Sequence, residues 1–177
     1  MKILQPDDDT LIIVAKLIEN GEIVIIPTET VYGIACDAFC VGAVKRVYAL
    51  KGRAAEKRIS WLVASADIAR DYADVPPEAE TWLGGNSTVV FNLRGGEGTQ
   101  GFRIPAHEFT LRLLRSLRRP IACTSANRSG ESPTVNAADA ARVFGASVAA
   151  IVDGGECEVG TASRVVDFSS GECKILR

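Results

Sequence analysis

The chain has 177 residues, 47% of them hydrophobic, which fits one globular domain with an ordinary core. Its formal net charge of −2 and pI near 5.5 exclude a global positive field that would hold a nucleic acid by its phosphates alone. A single histidine, His107, excludes a multi-histidine metal site and weighs against a Ser-His-Asp hydrolase, so a surface or structural imidazole is expected.

Asp9 or Thr10 can cap a first helix, whose Leu11, Val14, Ala15 and Ile18 share one face and which Asn20-Gly21 ends. The apolar run 23–26 reads as a buried strand, and a loop follows it. Residues 42–50 carry Val44, Val47, Tyr48 and Leu50 at helical spacing, with Gly52 just beyond. Residues 59–64 form a strand. The stretch 66–83 looks helical but is broken by Pro76-Pro77, and 87–93 and 101–104 are strands flanking the Gly-rich connection RGGEGTQ. A helix over 109–117, a short strand over 121–124 and a helix over 136–144 come next, the last ended by Gly145. Strands at 148–152, 164–168 and 174–176 finish the chain. Helices and strands alternate early and strands dominate late, so an α/β (α+β) mixed sheet covered by helices is expected over an all-parallel one.

The five cysteines (Cys36, Cys40, Cys123, Cys157 and Cys173) are odd in number, and none are paired at the two-residue spacing of a zinc knuckle or redox dithiol, so reduced thiols are expected. MKILQPDDDT has no cationic stretch leading into a long apolar run, and no segment approaches the roughly 18 apolar residues of a membrane span. No membrane association and a cytoplasmic location are the expectation.

Three polar segments each sit at or near the end of an apolar element, where α/β folds expose ligand sites. PTETVYG (27–33) offers hydroxyls for a small polar ligand, or builds a turn with buried hydroxyls. In KGRAAEK (51–57), Lys51, Arg53 and Lys57, with Arg58 beyond, suit a polyphosphate, or complement the preceding helix's C-terminal dipole. TSANRSGESPT (124–134) places Ser125, Asn127, Ser129 and Ser132 where they bond a nucleotide, or cap and turn the chain. Neither a Walker sequence nor GxGxxG is present.

Together these segments, with Arg103-Ile104-Pro105, Asp153-Gly154-Gly155 and the terminal Ile175-Leu176-Arg177, resemble the YrdC-like family over nearly the whole chain. The resemblance implies a single domain over 1–177, with a twisted mixed sheet and helices around a concave, locally positive cavity. It also implies threonylcarbamoyl-AMP synthase activity. The amine of L-threonine captures bicarbonate or carbon dioxide, the carbamate attacks the α-phosphate of ATP, and pyrophosphate leaves. Partner proteins then pass the threonylcarbamoyl group to the tRNA adenosine next to the anticodon. ATP enters as substrate with Mg2+, held mostly by phosphates and water, and tRNA contact is local or indirect.

Residue by residue, the resemblance puts Lys51 and Arg53 at the reaction. Lys51, Arg53, Lys57, Thr99, Ser125, Asn127, Ser132 and Arg177 fall on ATP, and Thr30, Tyr32, Arg103 and Ser163 on threonine. Lys51 and Arg53 are expected to face the cavity rather than the core. No side-chain nucleophile is needed, because alignment and cationic stabilisation of pyrophosphate lower the barrier. Departures from the family pattern are Ala54 and Arg58 where prolines are usual, Gly84-Gly85-Asn86 in place of a Pro-Gly-Pro turn, and a short 93–101 segment. The competing readings are a non-catalytic RNA-binding relative, which would lack the KxR and SxN elements intact here, and a carbamoyl-adenylate module like that of hydrogenase maturation proteins.

Overall fold

Residues 2–96 and 98–177 are described by the computed structural model. In chain order they form β1 (Lys2–Leu4), α1 (Asp8–Glu19), β2 (Val24–Ile26), β3 (Gly33–Asp37), α2 (Val41–Lys51), β4 (Ser60–Leu62) and α3 (Ala66–Arg70). After a 3-10 turn over Pro77–Trp82 come β5 (Ser87–Asn92), β6 (Thr99–Arg103), α4 (Glu108–Leu117), β7 (Ile121–Ser125), α5 (Ala137–Phe144), β8 (Ala150–Val152), β9 (Arg164–Asp167) and β10 (Lys174–Ile175).

The strands make one ten-stranded mixed sheet in the order β1-β8-β2-β3-β7-β4-β6-β5-β9-β10. Period-two alternation divides its apolar residues between two faces. Ile25, Ile34 and Cys36 pack with Ala43 and Val47 of α2 and with Ala140 and Phe144 of α5. Val24, Ile26 and Ala35 pack on the other face with Val14 and Ile18 of α1 and Leu113 and Leu114 of α4. Farther along, Phe91, Phe102 and Val166 close over Ala69 and Leu83. Because helices cover both faces, β2 and β3 are buried along their whole length.

Two strands escape the sequence reading. β1 is a three-residue edge strand paired with β8. β3 lies where a loop is expected, since Gly33, Ala35 and Cys36 lack the β-branched character that marks strands. Its position is set from outside, by antiparallel pairing with β2 on one side and β7 on the other. Gly33 is required there, because a Cβ at this position would stand 2.4 Å from the Cys123 sulfur. Helix α1 also starts earlier than expected: Asp7 is the cap, accepting from the Thr10 N–H at 2.8 Å.

These pairings assemble the site. Gly33 pairs with Ser125, which brings the PTETVYG segment beside the one after β7. Ser60 pairs with Cys123, which draws in the loop leaving α2 at Gly52, where the backbone is left-handed (φ 61°).

Candidate functional site

A polar cavity of about 110 Å3 opens where these segments converge. Among the residues named from the sequence, Thr30, Tyr32, Arg53, Arg103, Ser125, Ser163 and Arg177 line it. Lys51 and Asn127 stand one bond behind Ser125, while Lys57, Thr99 and Ser132 lie outside the lining.

In the PTETVYG segment, the turn with buried hydroxyls is present. The Thr28 hydroxyl builds the turn: it donates to the Val31 carbonyl at 2.6 Å and accepts from the N–H groups of Thr30 and Val31. The Thr30 hydroxyl lies 2.8 Å from it and accepts from Arg103 Nη2 at 2.7 Å on the cavity side. Tyr32 lines the cavity, but its hydroxyl is engaged elsewhere: it donates to the Gly155 carbonyl at 2.7 Å and accepts from the Gly154 N–H at 3.0 Å. Burial pushes the phenol up to about 12, so it stays protonated. The Ser163 and Thr88 hydroxyls lie 2.9 Å apart, and Arg177 Nη2 donates to the Ser163 carbonyl at 2.9 Å.

Lys51 sits differently from the expectation of a cavity-facing cation. It is 3% exposed. Its ammonium lies within reach of four acceptors: the Ser125 carbonyl (2.5 Å), the Asn127 Oδ1 (2.7 Å), the Asn127 carbonyl (2.9 Å) and the Ser125 hydroxyl (3.2 Å). The Ser125 hydroxyl donates to Asn127 Oδ1 at 2.7 Å, and the Asn127 amide closes its own loop onto the carbonyls of Arg128 and Glu131. Lys51 is therefore the peg that joins the helix end to the Ser125–Asn127 loop. Arg53 reaches the cavity while its Nε and Nη2 donate to the carbonyls of Lys57 and Arg58, and Arg58 in turn donates to the Thr99 carbonyl. These bonds tie the loop at Lys57 and Arg58 to Arg53 and to β6.

Burial first, and then the like charge of Arg53, pulls the Lys51 pKa from 10.5 down to about 8. A lysine depressed in the folded state carries a stability penalty below pH 8 that is relieved as pH rises from about 8 to 10.5, where the unfolded chain binds the extra proton. The stability of the parent relative to Lys51→Met should rise across that window. Chemical unfolding at a series of pH values measures it, and a constant difference would refute the shift.

Arg103 is the second hub. Nη2 donates to Glu29 Oε1 at 2.5 Å as well as to Thr30, and Nε donates to the Gly85 carbonyl at 3.2 Å. The Glu29 and Arg103 side chains are only 11% and 8% exposed, so this is a buried ion pair. Gly85 belongs to the Gly84-Gly85-Asn86 segment, whose flexible turn thus supplies a defined acceptor. Glu29, Thr88 and Thr124 were not singled out in the sequence. Glu29 and Arg103 are 74 positions apart, and no local pattern announces such a pairing.

Cys123 lines the cavity, but burial pushes its thiol up to about 12, which rules it out as a nucleophile at neutral pH. All five cysteines are free. His107 lines a larger cavity of about 470 Å3 together with Pro27 and Glu29, and its Nδ1 has no partner among the described residues. No described helix is long and apolar enough to cross a membrane.

The family model Sua5_yciO_yrdC, described as "Telomere recombination", matches residues 16–177. The chain is 36% identical over 178 residues to a threonylcarbamoyl-AMP synthase of Pyrococcus abyssi (strain GE5 / Orsay), covering 93% of this chain and 52% of that protein. It therefore spans about half the length of that relative. A threonylcarbamoyl-AMP synthase of Thiobacillus denitrificans is 34% identical over 182 residues, 90% of each chain. The crystal structure of P. abyssi Sua5 complexed with L-threonine superimposes with a TM-score of 0.92 at 32% identity, over all of this chain and 57% of that one. The family model covers most of the chain and the Thiobacillus relative is matched over 90% of its length, so the chain belongs to the Sua5/YciO/YrdC family.

Proposed function

We propose that this chain, acting as one domain, is a threonylcarbamoyl-AMP synthase, a nucleotidyltransferase that makes L-threonylcarbamoyladenylate and pyrophosphate from ATP, L-threonine and bicarbonate. The observation that carries the reading is a threonine-sized cavity lined by Arg53, Arg103 and Arg177 together with the hydroxyl side chains of Thr30, Ser125 and Ser163. The likeness to a relative complexed with L-threonine supports placing the amino acid there.

The threonine amine attacks bicarbonate and water is lost, giving a carbamate. A carbamate oxygen attacks the α-phosphorus, and the bond to the β-phosphate oxygen breaks as pyrophosphate departs. Thr30, Arg103 and Ser163 hold the amino acid. The nucleotide is too large for the cavity alone, so it extends past Ser125 toward Arg53 and Arg177, whose charges favour the departing pyrophosphate. Lys51 acts on this half by fixing Ser125 and Asn127. Mg2+ bound with ATP would be held mostly by phosphate oxygens and water and would offset charge on the departing pyrophosphate. The product serves the threonylcarbamoyl modification of tRNA adenosine next to the anticodon, delivered by partner transferases, and that substrate implies a cytoplasmic enzyme.

Incubating the pure chain with ATP, bicarbonate and single amino acids, and following pyrophosphate, tests the proposal. Threonine-dependent release is expected. Release without amino-acid dependence would point to a carbamoyl-adenylate module, and no release to a non-catalytic relative.

A further inference from the structure

Arg103 offers five N–H donors, yet a ligand carboxylate needs them at a fixed angle, and a long arginine side chain does not hold itself. The structure supplies the holder. Glu29 Oε1 takes Nη2 at 2.5 Å, the Thr30 hydroxyl takes the same nitrogen at 2.7 Å, and the Gly85 carbonyl takes Nε at 3.2 Å. Nη1 has no partner among the described residues, which leaves it as the free arm of a guanidinium that lines the cavity. Glu29 is fixed in turn. Its Oε2 accepts the Ala106 N–H at 3.0 Å, and its backbone carbonyl accepts the Val159 N–H at 3.0 Å.

Resting on the synthase reading above, we infer that Glu29 is a positioning residue for the amino-acid half of the site. It orients Arg103 toward the cavity and offsets part of its charge while that half is empty. It stands on the opposite side of Arg103 from the ligand, since it lines the larger cavity across Pro27 and Thr28 rather than the polar one. Glu29 therefore acts through Arg103 and touches no substrate.

A double-mutant cycle separates this role from plain structural support. Glu29→Gln keeps shape and removes charge; it also turns an amide N–H2 toward Arg103 or the Ala106 N–H. Calorimetric titration with L-threonine should show about a tenfold loss of affinity, the size expected when one charge-assisted hydrogen bond is misplaced. In pyrophosphate assays the threonine KM should rise by the same factor, with kcat and the ATP KM within about twofold. In an Arg103→Ala background, Glu29→Gln should change threonine affinity less than about twofold, because the side chain it acts through is gone.

Equal losses in both backgrounds would overturn the inference, as would a Glu29→Gln chain that binds threonine like the parent. Should the amide variant fail to fold in melting scans, Glu29→Asp, which keeps the charge on a shorter stem, takes its place in the same cycle. A parent that does not bind threonine overturns the synthase reading and this inference together, whereas a parent that binds with an unaffected variant overturns this inference alone.

Discussion

Replacing Lys51 with alanine is expected both to destabilise the chain and to weaken ATP binding. The ammonium joins α2 to the Ser125–Asn127 loop through four acceptors in a site that is 3% exposed. Removing it leaves carbonyls of Ser125 and Asn127 without that partner, at a cost of about 3 kcal/mol for buried polar groups that lose a charged donor. For a domain of this size that corresponds to a fall in Tm of roughly 6–12 °C. ATP affinity should drop by about tenfold or more, since Ser125 and Asn127 lose the peg that sets their positions. Thermal scans and ATP titration on the same preparation test both effects. A variant that melts with the parent would reduce Lys51 to a charge complementing the helix end.

Arg103→Ala should give the opposite ligand pattern, with threonine affinity lowered about ten- to a hundredfold and ATP affinity little changed, since hydrogen bonds to charged groups are worth about 1.5–3 kcal/mol. The structure adds a stability effect. Truncating one member of the buried Glu29–Arg103 pair strands a carboxylate that is 11% exposed, and breaking such pairs costs about 3–5 kcal/mol. Combining Arg103→Ala with Glu29→Gln removes the stranded charge and should recover much of the stability without recovering threonine binding. Titration of both ligands against both variants, beside melting curves, separates the two effects. Equal weakening of ATP and threonine would indicate general collapse of the cavity. An unchanged threonine affinity would remove Arg103 from the amino-acid half.

Most helices and long strands could be read from the chain because their signals are local. The Val14 and Ile18 face of α1, the apolar run of β2 and the Gly145 end of α5 each depend on residues a few positions apart. The three polar segments were equally visible, and their order carried the family resemblance. Strand β3 was not legible, since Gly33-Ile34-Ala35-Cys36-Asp37 becomes a strand through neighbours that arrive from β2 and β7.

Within the site, residue types marked Arg53 and Ser125 as polar groups suited to ligands and the family resemblance added Arg103 and Ser163, but only tertiary structure decided which of them face open space. Lys51 ends α2 and Arg53 lies two residues on, yet Lys51 is buried on carbonyls while Arg53 lines the cavity. The difference depends on where the β7 loop passes. Glu29 likewise looked like one more polar residue of PTETVYG until the fold set it against an arginine 74 positions away. Sequence determines the local periods, the caps and the inventory of charges, because those act over a few residues. Which charge pairs with which, and which is left free for a ligand, is a matter of burial and distance between segments remote in the chain, and only the packed sheet supplies both.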